Sequence, residues 1–557
     1  MNALPIARHR DGRDAILAGP AGPVDAACFF AQATRLARAL PQAGHVINLC
    51  ETRHGFMLGF AAALIRGQVS LLPPGRGRGD WEALARRHGD AHVLSEFAVD
   101  GARNFVLAGF LEERATHALD IPRIDAASTA AILFTSGSTG EPAAHPKSWG
   151  QLCRGAQLLA QALRWEDPLA NAIVGSVPPQ HMFGLEATVM LPWQSGIPVH
   201  SQVPLLAADL EAALRECARP AWWMATPMHL RAPLQATAAM SGLQGVVAST
   251  MSLPQALART AEAAWRVPVI EVYGSTETGA LATRRTAIAV DWTPLASVVL
   301  RSHGEGEAAR IRAEGPHIDQ PVDLGDLLEL HEDGGFRWLG RASDLVKVAG
   351  KRASLAALNL ALTEIPGIDD GAFSFPPDAT GVPDESHPPR RLAAFFVSQT
   401  LDAPQVVAAL RARIDPAFLP RPVHRVSRLP RNANGKLTQA ALAMLFSQCQ
   451  DAQAIAADHP ALPGHFPGDP MVPGAVLLAR VADALRARFP QSVLGELLQA
   501  RFHAPLRPGE PFTIEATLLA GGARFELRRA GPGARRDAPI ASGEWSLGHG
   551  DPGVPRP

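Results

Sequence analysis

Residues Thr129–Leu163 read TAAILFTSGSTGEPAAHPKSWGQLCRGAQLLAQAL, and this stretch decides the fold. A short apolar run leads into a loop of Gly, Ser and Thr, and a helical pattern of apolar residues follows. Strand, small-residue loop and helix form a phosphate-binding arrangement, because glycines let the backbone approach an anion and hydroxyls donate to it. The spacing is not that of a Walker loop, and a flexible surface loop is the alternative interpretation. The predicted nucleotide-binding residues are Thr135, Ser136, Gly137, Ser138, Thr139 and Gly140.

A second motif, VPVIEVYGSTETG, ends a β-branched run at residues 267–279. It contains Tyr273, which is the one tyrosine of the chain, followed by Gly274, Ser275, Thr276 and Glu277. An aromatic face suits a purine, and a carboxylate suits a hard cation that bridges phosphates.

Both motifs resemble those of the adenylate-forming enzymes, which include acyl-CoA synthetases, aryl-CoA ligases and peptide-synthetase adenylation domains. The resemblance implies that Tyr273 lies on adenine, that Thr276 contacts phosphate and that Glu277 binds Mg²⁺. In this family a Lys-Gly pair usually follows the loop proline, but Ala143 and Ala144 stand there. Lys147 is therefore the candidate loop lysine, unless the loop relies on backbone and hydroxyl donors alone.

Further elements of the same family follow in the usual order along the chain. SVPPQHMFGLE supplies His181, which by resemblance borders the carboxylate site. Asp326 and Arg341 match the positions that hold the ribose hydroxyls. Ser343-Asp344 stands at the hinge, where the family usually has two acidic residues. LPRNANGKLTQAAL supplies Lys436, the candidate catalytic lysine, whose ammonium would bridge the attacking carboxylate and the α-phosphate.

The resemblance covers roughly residues 130–445 and implies an α/β adenylate-forming fold. We expect a large adenylation domain at 1–340 and a small mobile lid domain at 341–447 that carries the catalytic lysine. VINLCETRHGFMLGFAAALIRGQVSLLPP, in the first hundred residues, predicts a strand–helix–strand unit of the large domain. The segments Trp222 to Ala232 and Gly245 to Pro254 are candidates for the acid pocket. The second has bulkier residues at Ser249 and Thr250 than the family's glycines, which favours a short or flat acid.

The chain changes character after about residue 450, and we expect an α+β hotdog domain at 450–548 followed by a tail at 549–557. GHFPGDPMVPGAVLLARVADAL precedes four predicted strands: Val493 to Phe502, Phe512 to Leu519, Ala523 to Arg528 and Ile540 to Leu547. The segment resembles the 3-hydroxyacyl-carrier-protein dehydratases. In that family a histidine, here His465, takes a proton from the substrate, and an acid on the following helix assists. Ala479 occupies the position of that acid and cannot transfer a proton, so the resemblance predicts a domain that does not dehydrate.

The fusion points to the acceptor and the partners. Such dehydratases act on acyl groups carried by phosphopantetheine, so we expect an acyl carrier protein rather than free CoA as the thiol partner, and a homodimer formed through the hotdog domain. Arg524, Arg528, Arg529, Arg535 and Arg536 could meet an acidic carrier, although a solvated face is the alternative. The architecture resembles the ligase–hotdog proteins of aryl polyene pigment synthesis, of the xanthomonadin type. That resemblance implies a hydroxybenzoate-like acid, with ATP and Mg²⁺ as the cofactors.

Composition limits the remaining classes. The formal net charge of −1 gives no reason to expect a nucleic-acid partner. The five cysteines show neither metal nor redox spacing, and no apolar run is long enough for a transmembrane segment, so we expect a cytoplasmic protein. Of the 52 basic residues only four are lysines, and all four lie in or beside the motifs. Compact ammonium groups were thus kept where arginine is a poor substitute.

Three other functions stay open at this point. The chain could be a medium-chain acyl-CoA or acyl-carrier-protein synthetase. It could be a bifunctional ligase–dehydratase that works despite Ala479. It could also be an inactive scaffold that binds carrier protein, an interpretation that Ala143 and Ser343 favour.

Overall fold

The computed structural model divides the chain into two compact units, Met1–Leu345 and Val346–Pro557. The structure describes residues 2–111, 119–135, 143–165, 168–236, 238–304, 310–348, 351–375, 392–431, 437–438, 441–442, 444–446, 453–456, 458–463, 466, 469–489, 492–519, 521–530 and 539–549.

The first unit is built from parallel strands with helices between them. Its strands are β1 (Ala3–Pro5), β2 (Ala15–Ala18), β3 (Val24–Asp25), β4 (His45–Asn48), β5 (Val69–Leu72), β6 (His92–Ser95), β7 (Asn104–Val106), β8 (Arg123–Asp125), β9 (Thr129–Thr135), β10 (Ala143–Ser148), β11 (Ala172–Gly175), β12 (Val199–His200), β13 (Ala221–Ala225), β14 (Leu243–Ala248), β15 (Val269–Ser275), β16 (Gly279–Arg284), β17 (Thr293–Pro294), β18 (Val299–His303), β19 (Arg310–Glu314), β20 (Val322–Leu324), β21 (Asp326–Leu330) and β22 (Phe336–Arg341).

The helices of this unit connect the strands. They are α1 (Ala26–Ala39), α2 (Arg53–Arg66), α3 (Arg78–Arg87), α4 (Ala108–Leu111), α5 (Trp149–Leu163), α6 (Met182–Leu185), a π-helix (Glu186–Met190), α7 (Leu191–Ser195), α8 (Ala207–Glu216), α9 (Pro227–Gln235) and α10 (Gln255–Trp265), with 3-10 turns at Pro168–Ala170 and Ala342–Asp344.

Two large sheets organise the unit. One has the order β10-β9-β5-β4-β6-β7, and the other has the order β17-β16-β15-β14-β13-β11-β12-β2-β3. In the second sheet the strands from β2 to β15 run parallel, whereas β16 returns antiparallel to β15. The largest buried cluster contains residues of both sheets together with α1, α2 and α5, so these helices pack between the sheets.

The helix signals predicted from sequence are present in this unit. The predicted strand–helix–strand unit forms as β4, α2 and β5, and Thr52 caps α2 by accepting from the amide of Gly55 at 3.0 Å. Helix α5 begins with a reciprocal capping box between Ser148 and Gln151. The phosphate-loop motif lies between β9 and β10, so the structure places a strand, Ala143–Ser148, between the loop and α5, where the sequence predicted that the helix follows the loop.

The second unit contains a two-stranded sheet, β23-β24, and two larger sheets with separate cores. Its elements are β23 (Leu345–Val348), β24 (Lys351–Ser354), α11 (Leu355–Thr363), β25 (Asp370–Ser374), β26 (Ala393–Val397), α12 (Ala403–Arg411), a 3-10 turn (Pro416–Phe418), β27 (Val423–Arg425), α13 (Gly474–Arg488), β28 (Ser492–Phe502), β29 (Phe512–Leu519), β30 (Gly522–Arg529) and β31 (Ala541–His549). Strands β25, β26 and β27 form one sheet with α11 and α12 against it, and β28-β31-β30-β29 form the other.

The C-terminal sheet confirms the predicted helix-plus-strands pattern. Its four strands match the predicted runs to within one or two residues at each end, and neighbouring strands pair antiparallel. Helix α13 buries Leu477, Val481 and Leu485, which recur every four residues, against Phe512 and Phe525 of the sheet. One helix packed on an antiparallel sheet is the hotdog arrangement.

Candidate active site

The predicted site residues of the large unit gather at one edge of its nine-stranded sheet. His181 follows β11, the acid-pocket segments follow β13 and β14, and Thr276 and Glu277 follow β15. Because β11, β13, β14 and β15 are parallel neighbours, their carboxyl ends share this edge. In open α/β sheets this edge is where ligands bind.

Glu277 lies at the turn between β15 and β16, with its carboxylate about half exposed. Its Oε1 lies 3.7 Å from Nε2 of His145, and that ring nitrogen lies 3.0 Å from the hydroxyl of Thr135. Burial opposes ionisation of Glu277, but hydrogen bonds from Ser275 and from its own backbone amide, with the charges of His145 and Lys147, lower its pKa. The carboxylate is therefore ionised at neutral pH.

This donor set fits magnesium bound together with a nucleotide. Among the described residues, no group of three or more His, Cys, Asp or Glu side chains converges to hold a metal. Mg²⁺ typically takes one or two carboxylates and completes its shell with water and substrate phosphates. Glu277 would hold the ion, and the ion would offset the negative charge of the phosphates.

Lys147 does not reach into this site as the sequence suggested. It is 5% exposed, and its ammonium donates to the backbone carbonyl of Glu277 at 2.5 Å. The structure thus directs the ammonium of Lys147 to this carbonyl, and a contact between Lys147 and phosphate stays a prediction. His145 and Lys147 are two positions apart on β10, so their side chains lie on the same face of the strand. This two-residue spacing could have indicated His145 from the sequence.

Two further residues that the sequence did not indicate contact the same turn. Glu186 opens the π-helix and accepts from the amide of Ala280 at 3.0 Å, and Nε2 of His317 donates to the carbonyl of Ala280 at 2.9 Å. Burial raises the pKa of Glu186 to about 7, and burial lowers the pKa of His317 to about 4. π-Helical turns occur often at functional sites, but no sequence signal marks this one.

Tyr273 and Asp326 form the second part of the site. The hydroxyl of Tyr273 donates to Oδ2 of Asp326 at 2.7 Å, and the indole of Trp338 approaches Oδ1 at 3.3 Å. Asp326 pairs across the β-ladder with Arg341, whose Nε lies 3.6 Å from Oδ1. Burial and the charge of Asp326 raise the pKa of Tyr273. The structure thus brings together three of the residues predicted to hold adenosine.

The loop that carries His181 rests on a buried arginine that the sequence did not indicate. Arg53, at the start of α2, is fully buried and donates to the carbonyls of Gly175 at 2.8 Å and Val177 at 3.3 Å. Burial lowers its pKa to about 9. Gly184 closes the same loop, since a Cβ there would lie 1.9 Å from the carbonyl oxygen of Pro178. His181 therefore stands at the beginning of α6 on a firmly supported backbone.

The two acid-pocket segments carry side chains with defined contacts where the family has glycines. Thr250 has φ of 78°, a left-handed conformation that is rare for a β-branched residue. Ser249 is turned inward, because its hydroxyl donates to the carbonyl of Val272 at 2.8 Å. Trp222 fills the space over Gly245, where a Cβ would lie 2.4 Å from the indole.

Several predicted residues lie outside the described part of the chain. These are Ser136, Gly137, Ser138, Thr139 and Gly140 of the phosphate loop, the lysine at 436, and His465 of the hotdog segment. The hinge candidates Ser343 and Asp344 fall in the 3-10 turn Ala342–Asp344, directly before the boundary between the two units.

In the hotdog domain Ala479 lies on the exposed side of α13, next to Arg480 and one turn before Asp483. Asp483 forms an ion pair with Arg486 at 3.1 Å.

The predicted basic patch, which begins at Arg524, has acidic partners for its arginines within the described residues. Arg524 pairs with Glu544 at 2.7 Å, and Arg529 lies 3.4 Å from Glu510. The structure therefore favours a solvated, charge-balanced face over a docking patch for an acidic carrier.

The fold and this site define a class of protein: a ligase that activates an acid as its adenylate. A family model described as AMP-binding enzyme matches residues 82–301, and a model described as ApeI dehydratase matches residues 447–540. The chain is 30% identical over 367 residues to a 4-coumarate–CoA ligase of Rhodobacter capsulatus, an alignment that covers 63% of this chain and 88% of that protein. It is 28% identical over 322 residues to a 4-coumarate–CoA ligase of Halorhodospira halophila, covering 56% and 75%.

Solved structures show the same fold. The o-succinylbenzoate CoA synthetase of Bacillus subtilis with its acyl-adenylate aligns with a TM-score of 0.66 at 18% identity, over 77% of this chain and 95% of that one. The anthranilate CoA ligase AuaEII with anthranoyl-AMP aligns with a TM-score of 0.65 at 16% identity, over 80% of this chain and 98% of that one.

The chain belongs to the AMP-binding enzymes. It is an AMP-forming acid–thiol ligase with an ApeI-like dehydratase (hotdog) domain at its C-terminus. No helix in the described part of the chain has the length and hydropathy to span a bilayer.

Proposed function

We propose that this ligase activates a small, hydroxybenzoate-like aromatic acid and transfers it to the phosphopantetheine thiol of an acyl carrier protein, as a starter for aryl polyene pigment synthesis. In the first half-reaction a carboxylate oxygen of the acid attacks the α-phosphorus of ATP, and pyrophosphate leaves. In the second, the thiol sulfur attacks the acyl carbon, the thiol loses its proton, and AMP leaves. Both steps depend on positioning and on stabilising negative charge.

The residues divide this work between them. Tyr273 and Asp326, joined by their 2.7 Å hydrogen bond, would orient the adenosine, with Arg341 beside them. Thr276 and the phosphate loop would bind the phosphates, and His181 would border the acid. Lys436 would bridge the acid and the α-phosphate. Ser343 and Asp344 would form the hinge about which the small domain turns between the half-reactions.

The observation that carries the aromatic acid is the bulk of the side chains in the two acid-pocket segments. Thr250, at φ of 78°, stands where the family has a glycine, and the indole of Trp222 lies against Gly245 of the neighbouring strand. A flat ring needs less depth than an alkyl chain. The printed names of the similar proteins also specify aromatic acids, namely 4-coumarate, o-succinylbenzoate and anthranilate.

The hotdog domain supports the choice of acceptor and a dimer. We propose that it does not dehydrate, because Ala479 can neither accept nor donate a proton. Strand β28 is an edge of the sheet and is its longest strand, and it exposes Val493, Leu497, Leu498 and Phe502. The opposite edge, β29, exposes one large apolar side chain, Leu518. An exposed apolar edge is a surface for strand pairing, so β28 is the proposed contact between two copies.

We place the enzyme in the cytoplasm. Within the described residues Cys50, Cys153 and Cys217 are buried free thiols, as suits a reducing compartment.

The test is a substrate panel with the intact chain. We expect hydroxybenzoates to drive ATP–pyrophosphate exchange at least about tenfold faster than hexanoate or octanoate, a ratio that corresponds to about 1.4 kcal/mol. We also expect the acyl group to appear on holo carrier protein rather than on CoA. Exchange with the fatty acids and none with hydroxybenzoates would refute the aromatic acid. Lys436→Ala should abolish thioester formation. If the wild type itself forms no thioester, the scaffold alternative is supported.

A second acceptor has its own support. The similar proteins are named as CoA ligases, so CoA at saturating concentration belongs in the same panel, and faster transfer to CoA would replace the carrier-protein proposal. The match to a dehydratase family likewise favours a bifunctional enzyme. Release of water from a 3-hydroxyacyl carrier protein, lost in His465→Ala, would establish that activity.

A further inference from the structure

Three buried ionisable side chains hold the turn that carries Glu277. Lys147 donates to the carbonyl of Glu277 at 2.5 Å, Glu186 accepts from the amide of Ala280 at 3.0 Å, and His317 donates to the carbonyl of Ala280 at 2.9 Å. They come from β10, from the π-helix and from the segment after β19. Three distant parts of the chain thus contact the backbone of Glu277 and of Ala280, on either side of the turn.

The cluster is buried and carries charge. Lys147 is 5% exposed, and Glu186 and His317 are each 3% exposed. A buried ammonium is costly unless an opposite charge lies near it. Glu186 is the largest of the charges that favour the ammonium of Lys147, and Lys147 in turn favours ionised Glu186. Both side chains, with His317, line a cavity of about 10 Å³.

The backbone around the cluster is shaped to admit it. Gly155 on α5 faces Glu186, and a Cβ at this position would lie 2.8 Å from Oε1. Gly279 has φ of 75°, and its own Cβ would lie 3.3 Å from the same oxygen. Small residues on two elements therefore leave the space that the carboxylate occupies, so the pairing of Glu186 with the turn is built into the fold.

We propose that Lys147 and Glu186 are positioning residues that set the place of the Glu277 carboxylate for magnesium–ATP. The family's usual loop lysine is replaced here by Ala143, and the one lysine near the loop acts on the turn rather than on phosphate. Lys147 fixes the main chain of the metal-binding residue itself, while Glu186 fixes the strand that follows. This inference rests on the proposed role of Glu277 as the magnesium ligand.

The test measures ATP binding by calorimetry with and without Mg²⁺, on the full chain and without any acid substrate. The wild type should bind ATP more tightly with Mg²⁺. Lys147→Met should reduce that magnesium-dependent gain about 10- to 150-fold, the range expected for loss of a hydrogen bond from a charged group, and should leave ATP affinity without Mg²⁺ within about twofold. Lys147→Gln, which keeps a neutral donor, should recover part of the gain. Arg78→Met, which removes an exposed cation paired with Glu82 on α3, is the matched control and should match the wild type.

A double variant separates positioning from burial of charge. Lys147→Met removes the nearby charge that favours ionised Glu186, so the buried carboxyl must stay protonated and the protein should melt at a lower temperature at pH 8. Lys147→Met/Glu186→Gln replaces that carboxyl with a neutral amide and should regain melting temperature while the magnesium-dependent gain stays low. Recovery of the gain in the double variant, or a normal gain in folded Lys147→Met, would overturn the inference.

Glu277→Gln distinguishes a failure of the positioning inference from a failure of the proposed magnesium site. If Glu277→Gln loses the gain and Lys147→Met keeps it, the positioning inference alone is wrong. If Glu277→Gln keeps the gain, the magnesium role of Glu277 fails and the inference falls with it.

Discussion

The hydroxyl of Tyr273 donates to Oδ2 of Asp326 at 2.7 Å, which links the end of β15 to the beginning of β21. The two residues are 53 positions apart in the chain, and each belongs to a different predicted contact with adenosine. Their hydrogen bond makes the two contacts one rigid unit. The ring of Tyr273 is also packed by Trp292 and Phe336, with ring centroids 5.5 and 5.3 Å away.

Tyr273→Phe should weaken ATP binding without affecting the acid. The ring stays packed, but Asp326 loses its shortest side-chain donor, so we expect about a 3- to 10-fold rise in the KM for ATP and an unchanged KM for the acid. Trp338→Phe removes the longer contact, at 3.3 Å, and should have a smaller effect. Pyrophosphate exchange at varied ATP gives both values. A larger effect from Trp338→Phe would contradict this ranking of the two donors.

Thr250→Gly should both stabilise the enzyme and broaden its choice of acid. A β-branched residue at φ of 78° stores strain of about 1–3 kcal/mol, which glycine would relieve. Removing the side chain should also open the acid segment, so that medium-chain acids gain exchange activity relative to benzoates. Urea unfolding and the acid panel measure the two effects. Ser249→Ala is the control, because that hydroxyl points to Val272 and not into the site. An acid profile unchanged in Thr250→Gly would exclude Thr250 as a specificity residue.

Leu498→Lys should break the proposed dimer, whereas Leu518→Lys should not. The two leucines are almost equally exposed, at 62% and 60%, but they lie on opposite edges of the hotdog sheet. A lysine placed in an apolar contact costs its hydration, so we expect at least about a tenfold weaker association for Leu498→Lys. Light scattering coupled to gel filtration reports the masses. A dimer that survives Leu498→Lys and is lost in Leu518→Lys would assign the contact to β29 instead.

The large unit should lose stability as the pH falls from about 6.5 towards 4. Burial lowers the pKa of His9 from 6.5 to about 4, so the folded state holds this ring neutral while the unfolded state protonates it first. Stability is therefore full above pH 6.5, decreases as the unfolded histidine gains its proton, and levels off below about 4. One such group contributes about 2–3 kcal/mol across this window.

His9→Gln tests this assignment, because it removes the titration and keeps a polar side chain of similar size. The difference in unfolding free energy between pH 7 and pH 5 should be smaller in the variant than in the wild type. His303→Gln serves as the control, since His303 lies on the surface beside Asp323. Burial also lowers the pKa of His54, His92, His229 and His317 to about 4, so His9→Gln should remove only part of the pH dependence. Identical pH dependence in His9→Gln and the wild type would show that His9 does not contribute to it.

The sequence by itself determined the class, the order of the elements and most of the residues proposed for the site. Local patterns carry that information: a strand, a small-residue loop and a helix at residues 129–163, and an aromatic–hydroxyl–carboxylate run after β15. The helix and four strands of the hotdog domain were likewise visible as runs of apolar residues between turns. These features depend on spacing within one segment, which a sequence displays directly.

Only the tertiary structure decided how Lys147, Glu186 and Arg53 act. Lys147 lies 130 residues before the carbonyl it contacts, and Arg53 lies 122 residues before the carbonyl of Gly175. No local pattern encodes such pairs, because burial and the packing of helices between two sheets bring them together. A charged residue that looks solvated in sequence becomes a structural and electrostatic element once its surroundings exclude water. For that reason the sequence left open whether Lys147 contacts phosphate, and the fold shows its ammonium bonded to the backbone carbonyl of Glu277.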